Sequence, residues 1–131
     1  MESNLTIKHL LTLAALALGL FALGDKAAFA HGSATARHGG VVQLVSDLSF
    51  ELVALPEGAA IYVEDHGKPL VPTGMSGKLT VLNGTERSEG ELAVAGDRLV
   101  AKGVKLASGA KAVAALTTAN KKAITVRFTV K

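Results

Sequence analysis

Ala123-Ile124-Thr125-Val126-Arg127-Phe128-Thr129-Val130-Lys131 is the stretch that decides the fold. Ile124, Val126, Phe128 and Val130 fall on one parity, and Thr125, Arg127, Thr129 and Lys131 on the other. Successive side chains of a strand point to opposite faces, so this pattern buries one face and wets the other. A helix would space its apolar residues three and four apart.

The same period of two recurs upstream. Leu48, Phe50, Leu52 and Ala54 alternate with Ser49 and Glu51, and Ile61 and Val63 with Tyr62 and Glu64. Leu79 and Val81, Leu92 and Val94, and Leu99 and Ala101 are shorter versions. Turn formers separate the runs: Pro56-Glu57-Gly58, Asp65-His66-Gly67-Lys68-Pro69, Pro72-Thr73-Gly74, Asn83-Gly84, Ala95-Gly96-Asp97, Ser108-Gly109 and Asn120. Glycine and asparagine tolerate the positive φ that tight hairpins require. Lys111–Thr118 is rich in alanine and has helical propensity. Its place one short link before the strongest strand favours a hairpin. Seven or eight short strands between Val41 and Val130 predict an all-β fold, a single immunoglobulin-like β-sandwich, with a small barrel sharing the pattern.

The N-terminus reads differently. Lys8 and His9 precede an apolar run, Leu10–Leu23, and the segment closes on Ala28-Phe29-Ala30. Small residues two apart suit a signal peptidase, so residues 1–30 are expected to form a signal helix cleaved after Ala30. A bilayer-spanning helix needs about 20 apolar residues, more than this run holds. The expected organisation is a signal peptide over 1–30, a flexible Gly-containing arm over 31–40 and a β-sandwich over 41–131. The mature chain would be periplasmic or secreted and have no transmembrane segment. There is no cysteine, so an exported domain of this kind depends on packing alone.

Composition narrows the function. Outside the leader the aromatic residues are Phe50, Tyr62 and Phe128, too few for the stacking platforms of single-stranded nucleic acid binding. Residues 31–97 hold four basic residues against nine acidic ones, whereas 98–131 hold eight basic residues and no acidic one. One expectation is cross-strand pairing of early acids with late bases. The other is a basic C-terminal third that docks on an anionic surface or an acidic partner. No cysteine nucleophile, G-x-S-x-G elbow, H-E-x-x-H helix or phosphate-cradling loop is present, so a non-enzymatic protein is expected.

Three histidines outside the leader are candidate metal ligands. Cleavage after Ala30 would leave His31 first, and its free amine and ring Nδ1 can chelate one ion together. The amine's reference pKa of about 7.7–8 lets a metal displace its proton near neutrality. His38, or His66 in the Asp65–Pro69 turn, could complete a three-nitrogen site. Such nitrogens suit Cu(II) or Zn, whereas Cu(I) prefers sulfur. Turn chemistry alone also accounts for Asp65-His66-Gly67-Lys68-Pro69. Asn83-Gly84-Thr85 reads both as a hairpin turn and as a glycosylation acceptor. Glu86, Glu89 and Glu91 read as the polar decoration of an edge strand.

His38-Gly39-Gly40, Phe50-Glu51-Leu52-Val53, Ile61–Pro69, Gly77–Leu82, Ala95–Leu99, Gly109–Lys111 and Arg127–Val130 together resemble small, mostly uncharacterised bacterial periplasmic β-sandwich proteins. Similar segments occur in periplasmic proteins associated with heavy-metal efflux adaptors. The resemblance covers nearly all of the chain after the leader. It implies an exported accessory domain in metal homeostasis, with an efflux component as partner, and it carries over no ligand set.

Overall fold

The computed structural model of the protein describes residues 35–131. The expected leader and His31 lie outside them. Within them the chain is all-β. The strands are β1 (Val41–Val45), β2 (Leu48–Leu55), β3 (Gly58–Asp65), β4 (Lys68–Leu70), β5 (Ser76–Asn83), β6 (Glu86–Ala95), β7 (Arg98–Lys102), β8 (Lys111–Thr117) and β9 (Ala123–Thr129). The strand beyond the expected seven or eight is β4, a three-residue return folded from the Asp65–Pro69 turn segment.

All neighbours are antiparallel, in the order β1-β2-β3-β7-β6-β5-β8-β9, with β4 added beside β3. The long strand β6 forms a corner: Glu86–Leu92 pair with β5, and Ala93–Ala95 pair with β7. The sheet therefore folds back on itself, and its two end strands, β1 and β9, come together without a hydrogen-bonded ladder. It is nearly closed. Phe50, Leu52, Ile61 and Leu99 from one half join Leu79, Val81, Leu92, Val126 and Phe128 from the other in a single buried cluster.

The alternation read from the sequence places the core. Val126 and Phe128 of β9 are buried while Thr125, Arg127 and Thr129 are exposed. The alanine-rich segment is strand β8, with Ala112, Ala114 and Leu116 inward. Ladders on both sides, to β5 and β9, satisfy its backbone, so tertiary pairing overrides helical propensity. Gly58 and Gly77 sit where strands crowd. A Cβ on either would fall on a backbone carbonyl, of Ala101 and Ala115 respectively.

Two-residue turns join most of the hairpins. His66 (φ 51°) and Gly67 (φ 80°) form the turn between β3 and β4. Two successive positive φ values define a type I′ turn, and histidine is among the residues that tolerate that region. Between β5 and β6 the turn is Gly84-Thr85, one position later than the Asn-Gly reading, because Asn83 pairs with Glu86. That shift frees the Asn83 amide. Its Nδ2 donates to the Lys105 carbonyl (2.9 Å) and its Oδ1 accepts from the Ala107 N–H (3.4 Å). Asn83 thereby pins the link between β7 and β8. Asn83→Ala is expected to lower stability by about 1 kcal/mol and to speed hydrogen exchange at the Ala107 amide, read by native-state exchange.

The expected pairing of early acids with late bases does not form. Among the described residues the Arg and Lys ion pairs are Arg37–Glu64, Lys78–Glu89 and Arg87–Glu89. None involves a residue after 97. Two of the early acids are taken locally: Lys78 and Arg87 meet Glu89 within the β5–β6 hairpin, and Arg37 meets Glu64.

Candidate functional site

Tyr62 and Glu51 are register partners on β3 and β2, so they share the outer face of the sheet, opposite Phe50 and Ile61. Residues 37–40 run across that face. Glu51 is 6% exposed, and its carboxylate gathers the crossing segment. The N–H groups of Arg37 (3.0 Å), His38 (2.8 Å) and Gly40 (2.9 Å) all donate to it. Converging backbone donors of this kind make an anion-binding nest, and here the anion is supplied by the fold itself. Gly39 provides the positive φ, 74°, that turns the chain between these donors.

The same carboxylate orients His38. The ring Nδ1 lies 3.1 Å from Glu51 Oε1. The imidazole stacks on Tyr62 with centroids 3.6 Å apart and planes 4° from parallel. Tyr62 is held in turn by Arg98, whose guanidinium donates to its hydroxyl (3.0 Å). Burial pushes the Glu51 carboxyl up, but the hydrogen bonds from Gly40, Arg37 and His38 outweigh it and hold its pKa below the ordinary range. An ionised carboxylate only accepts, so Nδ1 must carry a proton. In neutral His38 the lone pair then sits on Nε2.

A cavity of about 200 Å³ adjoins the ring, with Arg37, His38, Tyr62, Leu70, Val71 and Asp97 in its walls. It lies beside a break in pairing: β7 covers the edge of β3 as far as Ile61, and β4 takes over at Val63. Arg37 closes one side by pairing with Glu64 and donating to the Gly67 carbonyl (2.9 Å).

His66 is elsewhere. Its side chain is exposed beside Asp65 and Asp47 on the two adjoining turns. It sits in the β3–β4 turn and is not among the residues that line the cavity beside His38. Among the described residues no three or more His, Asp or Glu side chains are arranged to hold a metal ion. His31 lies outside them. The sequence reading missed Glu51, Tyr62, Arg98 and Asp97 as parts of one site. The sequence held no sign of it: Glu51 shares the polar parity of β2 with Ser49, as a solvent-facing residue would.

No family model, curated protein or solved structure matches the chain.

Proposed function

We propose that the chain is an exported, non-enzymatic binding module that takes a divalent ion, Cu(II) or Zn, at His38. In this reading the halves of the sheet that face each other across Phe50 and Leu79 act as the two layers of an immunoglobulin-like sandwich, a rigid platform for the ligand. One observation carries the reading. His38 is fixed by a buried carboxylate at Nδ1 and an aromatic face, which leaves Nε2 as its donor atom. Ligating histidines are held in this way, with the second nitrogen hydrogen-bonded to a carboxylate that sets the tautomer and raises basicity. The amine and ring of His31 would supply the remaining nitrogens, and Asp97 in the cavity wall a further oxygen. His66 takes no part in this version of the site.

Isothermal titration of the processed protein with Cu(II) and Zn(II) tests it. Stoichiometric binding is expected. It is expected to vanish in His38→Ala, to vanish when an extra residue precedes His31, and to persist in His66→Ala. Binding that His38→Ala leaves intact would overturn the reading.

A further inference from the structure

We propose that the outer face of the sheet around Leu82, at the hairpin end of β5 and β6, docks on an anionic lipid bilayer. This inference is independent of the metal reading and uses the opposite half of the molecule. Leu82 lies on the outer face of β5, one residue before its end at Asn83, and is 42% exposed although it is a large apolar residue of a strand paired on both sides. Its register partners are Arg87 on β6 and Lys111 on β8. Lys105 is brought close by the bond from Asn83, the next residue, to its carbonyl. Lys131 follows Val130, which exchanges backbone bonds with Gly109 and Ala110 beside Lys111. Arg127 lies on the same face, paired with Val113 two positions along β8 from Lys111.

The charges are uncommitted. Among the described residues Lys105, Lys111, Arg127 and Lys131 form no ion pair, and the Lys111 ammonium bonds only the Thr129 hydroxyl (3.1 Å). The nearby carboxylates are Glu89, already held by Lys78 and Arg87, and Glu86 at the hairpin end. The result is an exposed leucine set between Arg87, which also pairs with Glu89, and the unpaired Lys111, with Lys105, Arg127 and Lys131 around them.

Two features select a bilayer as the occupant. The cations are spread over three strands, the link between β7 and β8 and the residue Lys131 beyond β9, which suits an extended anionic surface better than a single acidic side chain. The leucine at their centre can enter the acyl boundary while lysine and arginine meet the headgroups, as interfacial segments do. Among the described residues no aromatic side chain stands on this face to stack a base: Phe50 and Phe128 are buried, and Tyr62 is on the other half.

The test is co-sedimentation of the processed protein with vesicles of phosphatidylglycerol and phosphatidylcholine, against phosphatidylcholine alone. Binding is expected only with the anionic lipid and is expected to fall as salt rises. Removing two cations in Lys105→Ala/Lys111→Ala is expected to weaken it about 25-fold, at about fivefold per charge. Leu82→Ser is expected to weaken it further. Lys121→Ala/Lys122→Ala, at the far end of the β8–β9 hairpin, is expected to have a much smaller effect. All these positions are exposed, and thermal melting checks that each variant folds. Absence of binding to the anionic vesicles at low salt would overturn the proposal, as would equal losses from the two double variants. Capture of an acidic protein without vesicle binding would overturn it too.

Discussion

Glu51→Gln is expected to destabilise the protein by about 2–4 kcal/mol, because hydrogen bonds to a charged acceptor contribute about 1.5–3 kcal/mol each and this carboxylate accepts four. The amide keeps one oxygen but turns an N–H₂ toward backbone N–H groups that have nowhere else to donate. Urea unfolding reads the loss. A change below 0.5 kcal/mol would show that the nest contributes nothing to stability. If His38 binds metal as proposed, the same variant should lose about 10–100-fold in affinity, the usual effect of removing the carboxylate behind a ligating histidine.

The carboxylate also gives stability a pH dependence of known sign. Its folded pKa lies below its unfolded value. The stabilisation is therefore complete above the unfolded value and is lost as pH falls through the folded one. The wild-type protein should lose stability on acidification below the ordinary glutamate range. Glu51→Gln, which has no proton to take up there, should show a shallower slope over the same interval. Parallel slopes would assign the acid sensitivity to other groups.

The second large effect is expected at Gly40. A Cβ there would fall on the backbone carbonyl of Leu52, with the Val53 side chain also inside contact distance at 2.9 Å. Neither can withdraw cheaply, since both belong to β2. The crossing segment must lift, which breaks the Gly40 and His38 bonds to Glu51. Gly40→Ala is expected to lower stability by about 3 kcal/mol, within the range of strained or overpacked sites. It should also free the imidazole from Tyr62, visible as a shift of the Tyr62 ring resonances. Gly39→Ala is the control. Its Cβ meets nothing within 4 Å, and only the φ of 74° is strained, so a loss of about 1 kcal/mol is expected. Similar losses at both positions would remove close approach as the reason for the glycine pair.

The site was only partly legible beforehand. His38 could be named from its residue type, but its neighbours could not. Glu51 comes 13 residues later, Tyr62 a further 11 and Arg98 a further 36, and nothing in a period of two says which outer-face residues lie side by side. Register and strand order decide that. His66 illustrates the converse. A histidine between Asp and Gly can be read as a ligand, but the sequence favours the turn. Its φ of 51° belongs to the turn, and it does not line the cavity that adjoins His38. The charge asymmetry was plain in the sequence, while its destination was not. The expected pairing failed: Glu89 is taken by Lys78 and Arg87 within the β5–β6 hairpin and Glu64 by Arg37, all residues before position 98.

By itself, the order of residues determined the strand class, the inward parity of β2, β3, β5, β7 and β9, and most of the turns. Each of these depends on neighbours a few residues apart, through the alternation of side chains and the φ preferences of glycine and asparagine. Tertiary structure alone decided that β6 turns the corner between the two halves, that β4 and β7 share one edge of β3, and that a buried glutamate fastens residues 37–40 over Tyr62. Those outcomes rest on contacts between distant segments, where backbone pairing and burial outweigh what any short stretch prefers.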